Sequence, residues 1–305
     1  MKLKLPVTRL LLITLVLSAS ISPVAAQTWT LTSAPSNYWG SVASSADGTK
    51  LVAVAYYDFN NNLGRIYKSA NAGTNWTLAS APSMYWRSVA SSADGKKLVV
   101  AAVFADAQAN PGRLFWSFNS GTNWIQSSAP AGYWFAVAAS ADGNEMIAAP
   151  SYGGIYISTN SGINWTVTSA PTNYWRSIAS SADGTKLVAV CDYDPGNNPG
   201  QIYISTNSGV TWAAASAPMT LWQSVASSAD GTKLVAGDGT YYTGPIYTSS
   251  DSGMTWAEVF GPYDSAPLVA SSADGVTLVA AGADNGGISI SLDSGTTWTQ
   301  TSAPE

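Results

Sequence analysis

Ser69-Ala70-Asn71-Ala72-Gly73-Thr74-Asn75-Trp76 is the first of six related octapeptides in this 305-residue chain. The later copies end at Trp124, Trp165, Trp212, Trp256 and Trp298, each with a Gly three residues before the Trp. A second phrase, Ala-Asp-Gly, alternates with the first and places its Asp at Asp47, Asp94, Asp142, Asp183, Asp230 and Asp274. From each octapeptide Gly to the next Ala-Asp-Gly Asp the interval is always 21 residues, from Gly73–Asp94 to Gly253–Asp274. From each such Asp to its own octapeptide Gly it ranges from 20 to 27 residues. One fixed interval and one variable interval describe a rigid repeat with a single variable loop per unit. The period of 41 to 48 residues falls within that of propeller blades.

Unit 1 shows how each repeat should fold. Ser41–Ser45 is a short strand, and Ala46-Asp47-Gly48 turns the chain, because Gly accepts the positive φ that a tight hairpin needs. Residues 50–55 form a second strand, followed by the variable loop Asp58–Gly64. A third strand spans residues 65–69, the octapeptide turns it, and Trp76–Ala79 is the fourth. Ser80-Ala81-Pro82 then leads to Tyr85-Trp86 and the next unit. Outside the first residues no segment has the 3.6-residue apolar period of a helix. The expected fold is all-β: a β-propeller of six blades, each of four antiparallel strands, forming one domain over residues 27–305. Trp29-Thr30-Leu31-Thr32-Ser33-Ala34-Pro35 nearly repeats Trp298-Thr299-Gln300-Thr301-Ser302-Ala303-Pro304. Six units need only six fourth strands, so one of these copies should close the last blade and the other lie outside it.

Residues 1–26 have a different character. Lys2, Lys4 and Arg9 precede the apolar run Leu10–Leu17, and small residues end at Val24-Ala25-Ala26. This is the pattern of a cleavable secretory leader, so a secreted or periplasmic protein beginning at Gln27 is expected. Losing those three cations leaves ten basic against eighteen acidic residues, a charge of −8 rather than −5. With a pI near 4.6, the chain has no basic footprint for nucleic acid. No second segment is apolar enough to insert in a membrane. The chain has no His, which removes imidazole acid–base chemistry and His-based metal sites. The single Cys191 cannot form an internal bridge and reads as a small buried hydrophobe. No cofactor is expected, and a monomer is.

The octapeptide resembles the Asp-box, or BNR, repeat Ser-x-Asp-x-Gly-x-Thr-Trp of the sialidase-like β-propeller superfamily. Asp251 and Asp293 keep the Asp, while Asn71, Asn119, Asn160 and Asn207 replace it. The resemblance covers nearly all of residues 27–305 and implies the propeller fold. Its members include sialidases, other glycosidases, assembly factors and receptors. The box itself reads as structural, because a short polar side chain in a turn satisfies its own backbone. Sialidases of this superfamily use three arginines, a Tyr activated by a Glu, and an Asp. After the leader this chain has only Arg65, Arg87, Arg113 and Arg176, and only Glu145, Glu258 and Glu305. The family's Phe-Arg-Ile-Pro motif is also absent, so a typical sialidase is not expected.

Strand order puts the Ala-Asp-Gly turns and boxes on one face, here called lower. The variable loops and the Ser-Ala-Pro connections meet on the upper face. Five connections carry a Trp at one position, Trp39, Trp86, Trp134, Trp175 and Trp222, and four place a Tyr before it, Tyr38, Tyr85, Tyr133 and Tyr174. Unit 6 has Tyr263-Asp264-Ser265-Ala266 instead. These aromatics either fill the space between blades or ring the channel mouth as a stacking surface. Arg87 and Arg176 would add fork-shaped donors beside them. The expected function is therefore non-catalytic binding of carbohydrate or protein through the aromatic upper rim.

Two alternatives stand beside it. One is an Asp-dependent glycoside hydrolase, with catalytic carboxylates drawn from Asp264, Asp192 and Asp194, since such a pair needs only a cleft-wide separation. The upper-face candidates also include Asp58, Asp106, Asp238 and Asp284. The other is a scaffold like the photosystem-assembly members of the superfamily. Asp192-Tyr193-Asp194-Pro195-Gly196-Asn197-Asn198 could present oxygen ligands to Ca²⁺, although its spacing does not match an EF-hand loop.

Overall fold

The computed structural model describes residues 29–303 apart from 60–62, 241–243, 260–267 and 283–286. It contains six four-stranded antiparallel sheets, each with its strands side by side in chain order. In blade 1 the strands are Tyr38–Ser44, Leu51–Tyr57, Ile66–Ser69 and Thr77–Leu78. Blades 2 to 6 begin at Tyr85, Trp134, Tyr174, Trp222 and Leu268 and repeat the pattern. The first strand of each blade packs against the first strand of the next, which makes these the inner wall. The fourth strands are two or three residues long and mostly exposed, as the outer edge of a propeller should be. The expected fold class is the one observed.

The core lies between the sheets rather than at one centre. Second strands are buried on both faces: Leu98–Val103 and Leu187–Cys191 contain no exposed residue. A run of Val, Leu and Ala suits that position, because branched and small side chains pack closely from both sides. The first cluster shows the logic, with Val54, Ile66 and Ala79 of blade 1 meeting Trp86, Val89 and Leu98 of blade 2. The box Trp of each following blade joins the seam from outside, as Trp124 does here and Trp256 does between blades 4 and 5.

The lower face is held by repeated polar geometry. In each Ala-Asp-Gly turn the Asp accepts from a Ser hydroxyl and from the amide two residues on, at 2.6 and 3.0 Å for Asp47. In each box a buried Ser hydroxyl accepts from the Gly amide, 2.9 Å for Ser69 and Gly73, and donates to the Asn or Asp side chain. That side chain in turn accepts the amide four residues on, 2.9 Å for Asn71 and Asn75. Gly73 adopts φ +82°, and the residue before it, Ala72, is also left-handed at φ 54°. The five other boxes put a Ser at this second position, also with positive φ, a strained choice that the surrounding hydrogen bonds hold in place. Blades are tied to one another by a chain of backbone bonds in which Ala46 N–H donates to Ala93 O, and Ala93, Ala141, Ala182 and Ala229 continue it to Ala273.

Thr299–Gln300 pairs with Ile288–Ser291 as the fourth strand of blade 6. The C-terminal copy of the repeated heptapeptide thus completes the last sheet, and the N-terminal copy belongs to none.

Candidate functional site

The Tyr-Trp pairs do not sit in connections. In blades 1, 2 and 4 they open the innermost strands, and in blade 3 Tyr133 directly precedes one; strand alternation sends the two side chains opposite ways. Trp86, Trp134, Trp175 and Trp222 are at most 1% exposed, each turned into the seam with the preceding blade. Trp175 also donates its Nε1–H to Gly153 O at 2.8 Å, and Trp134 donates to Pro130 O at 3.3 Å. Trp39 is half-buried. The expectation of a Trp ring open to ligand is corrected for these four residues: a β-bulge at the Trp rotates the indole inward, seen as a register shift beside Trp39, Trp86 and Trp175.

The Tyr residues stay at the surface. Tyr38, Tyr133 and Tyr174 are exposed and Tyr85 is half-buried. Each meets aromatic partners contributed by the variable-loop side. Tyr38 lies 4.9 Å from Phe59, and Tyr85 lies opposite Phe104 at 6.0 Å. Three further contacts cross seams: Tyr56–Tyr85 at 5.2 Å, Phe104–Tyr133 at 5.6 Å and Tyr152–Tyr174 at 4.7 Å. An aromatic rim therefore spans blades 1 to 4, made of Tyr and Phe. The Phe59, Phe104 and Tyr152 members were not among the expected residues. For Phe104 the signal was positional: like Tyr57 and Tyr193 it ends a second strand, and the three pair with Tyr85, Tyr38 and Tyr174 respectively.

Residues that follow the Trp on the innermost strands of neighbouring blades come together. In blades 2, 3 and 4 these are Arg87, Phe135 and Arg176. Both guanidinium groups lie over the Phe135 ring, at 4.4 Å for Arg87 and 5.2 Å for Arg176, within cation–π range. Arg176 is neutralised by Asp192, to which its Nε–H donates at 2.6 Å. Arg87 pairs with no carboxylate among the described residues. Burial and then the charge of Arg176 act to lower its pKa, while nearby Tyr56 opposes them. The result is an under-compensated cation, partly desolvated, in an otherwise acidic molecule.

The candidate carboxylates are occupied. Asp192 is buried against Arg176 and accepts from the Tyr193 amide. Asp194 accepts from the amides of Gly196 and Asn198 and from the Asn198 side chain, which together hold it below the usual carboxylate range. Oxygens so engaged already accept from donors in their own loop. Asp106 is caged in the same way by Gln108 and Asn110. Asp58 is buried beside Tyr67 and Arg65, and Asp238 accepts from Thr220 at 2.7 Å and Thr240 at 2.8 Å. Asp264 and Asp284 lie outside the described residues. Burial pushes the Cys191 thiol up to about 11, far from the thiolate a reactive Cys needs. Among the described residues no helix is long and apolar enough to cross a membrane.

No family model matches the sequence, and no curated protein matches it. Solved structures do. The chain is similar to a GH74 xyloglucanase from Xanthomonas campestris, at 14% identity and TM-score 0.68, over 91% of this chain and 47% of that one. It thus spans about half the length of that enzyme, and 39% of an ancestral GH74 enzyme. It is similar to YCF48 from Cyanidioschyzon merolae at 16% identity and TM-score 0.64, over 91% of this chain and 89% of that one. A chain of a nidogen/laminin complex matches at 13% identity and TM-score 0.57, over 84% and 90% of the two chains. At these identities the likeness is one of fold, and the shared fold is the β-propeller.

Proposed function

We propose that this chain is an exported, non-catalytic Asp-box propeller that binds a protein partner through its upper rim, taking a carboxylate of that partner on Arg87. The observation that carries this is the Arg87–Phe135–Arg176 cluster, in which one guanidinium has its carboxylate and the other has none among the described residues. A partly buried cation without a partner gains more from an incoming anion than an exposed one does. The Tyr and Phe side chains around it supply flat, amphipathic area of the kind that dominates protein interfaces. Two of the similar folds are known in protein complexes, YCF48 bound to a D1 peptide and nidogen with laminin, which supports the reading by analogy of fold only. The hydrolase alternative has less support, because Asp192 and Asp194 are already committed to Arg176 and to their own loop. An acidic carbohydrate would satisfy the same cation.

The test is a titration of the protein with acidic peptides, their amidated counterparts and a polyuronate, with reducing-sugar release assayed alongside. Peptide binding that weakens on amidation and in Arg87→Gln supports the proposal. Binding of the polyuronate alone, release of sugar, or peptide binding indifferent to Arg87 overturns it.

A further inference from the structure

Where blades 1 and 2 meet beside the boxes, the seam opens into a cavity of about 250 Å³. Leu51, Val52 and Leu98 give it an apolar floor, and Lys50 and Lys68 line it together with Ser120 and Thr122 of the next box. Strand pairing brings the two lysines together, because Leu51 pairs with Ser69 and Val52 with Lys68. Both reach across the seam. Lys50 donates its ammonium to Asp94 O at 2.7 Å, and Lys68 donates to Thr122 Oγ1 at 2.7 Å. The Lys50 stem lies so close to Gly95 that a Cβ there would stand 2.9 Å from its Cδ. Two long side chains are thus held in place before any ligand arrives. An ammonium has three hydrogens to donate, so each head keeps two beyond these bonds. Neither head pairs with a carboxylate among the described residues. Asp94, beside Gly95, spends its oxygens on Ser92, on the Lys96 amide and on the exposed Lys96 ammonium.

The seam between blades 5 and 6 supplies a comparison. A cavity of about 350 Å³ lies there on the same positions, with Lys233 for Lys50, Gly275 for Gly95 and Ser294 for Ser120. The Lys68 position is Thr248, so that cavity has one cation rather than two. In blade 2 the position is Trp116, which lies against Gly162 across the next seam. Blades 3, 4 and 6 carry Ile157, Ile204 and Ile290 there. A second ammonium in this groove belongs to blade 1 alone. Lys50, Lys68, Lys96 and Lys97 are four of the six lysines after residue 26, so this corner is basic in an acidic chain.

We infer that the cavity between blades 1 and 2 binds a phosphomonoester. Two ammonium groups without carboxylates, over an apolar floor, attract a dianion more strongly than a monoanion. A phosphomonoester carries about −1.5 to −2 at neutral pH, whereas a sulfate ester or a carboxylate carries a single charge and leaves one ammonium unmatched. Its oxygens point in several directions, which suits donors that come from both blades. Thr122 accepts from Lys68 and keeps its own hydroxyl hydrogen to give. Ala70 and Thr122 are exposed at the edge of the cavity, so the alcohol part of the ester has room toward solvent. The site shares no residue with the Arg87 cluster and stands whether or not that cluster binds.

The test is a titration of the protein at low salt with methyl phosphate and methyl sulfate, probes of one shape and different charge, followed by amide NMR shifts. Methyl phosphate should move the Ser120 and Thr122 amides saturably and bind roughly tenfold more tightly than methyl sulfate. Lys68→Thr installs the residue that blade 5 already carries, so it should keep the melt while weakening binding roughly tenfold. Thr248→Lys should create a second response at the Ser294 amide. Lys96→Gln removes a cation outside the cavity and should change affinity by less than about twofold. Equal affinity for the two probes would overturn the inference, as would equal losses in Lys68→Thr and Lys96→Gln. So would the absence of a saturable shift at Ser120 and Thr122, or a folded Thr248→Lys variant with no response at Ser294.

Discussion

On the lower face, six turns and six boxes repeat the same hydrogen bonds with nearly the same side chains. On the upper face, the equivalent position after the innermost Trp is Gly40, Arg87, Phe135, Arg176 and Gln223 in five successive blades. The loops above differ in length as well as in sequence. The same unit was thus held constant where it must turn the chain, and left free where it meets solvent. In those turns and boxes the polar groups are spent on their own backbone, which is what a turn with consecutive positive φ values demands. Upper-face groups include exposed Tyr rings and the Arg87 guanidinium, which has no carboxylate partner among the described residues. The difference separates turns and boxes whose polar groups are spent on the fold from a face that keeps groups unspent within each 40-odd-residue repeat.

The largest effect that could break this comparison lies inside a single dipeptide. Trp175→Ala removes a fully buried indole and its bond to Gly153, and should cost about 3–5 kcal/mol of stability. Tyr174→Ala, one residue earlier but on the surface, should stay within about 0.5 kcal/mol. Paired denaturant melts decide it. Equal losses at the two positions would mean that the rim is core after all.

A smaller effect is expected in the box. Ser158 is buried and its hydroxyl serves Gly162 N–H at 2.9 Å and the Asn160 side chain at 3.0 Å. Ser158→Ala leaves a buried amide unsatisfied and should cost about 1–3 kcal/mol. If the melting midpoint does not move, the lower-face bonds are ornamental and the distinction between faces weakens.

Spacing made the fold legible. The constant 21-residue interval and the Asp-Gly turns place three of the four strands of blade 1 within a residue or two. The first strand begins earlier than expected, at Tyr38 rather than Ser41, and that shift carries the main correction. A Tyr-Trp pair in a connection would show both rings to solvent. The same pair inside a strand must show one ring to each side, and the bulge beside Trp39, Trp86 and Trp175 decides which. No local property of the sequence marks that bulge. Phe135 escaped for a related reason, since its role comes from Arg87 and Arg176 on neighbouring blades, 48 residues before it and 41 after it. Which terminal heptapeptide completes the last sheet was hidden by the near identity of the two, which read alike until one is seen paired.

The lower-face carboxylates give a comparison in pH. Hydrogen bonds from Ser45 and from the amide and hydroxyl of Thr49 hold Asp47 down to about 2, and Thr255 with Ser249 holds Asp251 down to about 2, from an ordinary 3.8. A depressed folded-state pKa means that the unfolded chain binds the proton first as pH falls. The stabilisation should therefore be complete above about pH 4 and fade as pH drops toward 2. Tm measured between pH 2 and 6 should fall in that window, and Asp47→Asn should shallow the fall slightly. A Tm flat to pH 2 would show that these turns do not depend on ionised Asp.

The smallest change in stability is expected where the functional claim is strongest. Arg87→Gln removes a cation that is partly desolvated, faces a second cation and has no carboxylate partner among the described residues. Its folded-state contacts are the Phe135 face and the neighbouring Tyr56. Losing the cation–π contact costs about 1–2 kcal/mol at a partly desolvated site, and relief from Arg176 and from the cost of desolvating the cation offsets most of it. The net shift should be within about 0.5 kcal/mol. Affinity for an acidic peptide should respond far more, falling roughly tenfold to a hundredfold, since a charge-assisted bond contributes about 1.5–3 kcal/mol. The salt dependence of binding should flatten together with the affinity, because the screened interaction is the one removed. A large drop in Tm would make Arg87 part of the scaffold, like the Trp beside it. An unchanged affinity would leave the upper face with exposed aromatics and no charge to orient what they hold.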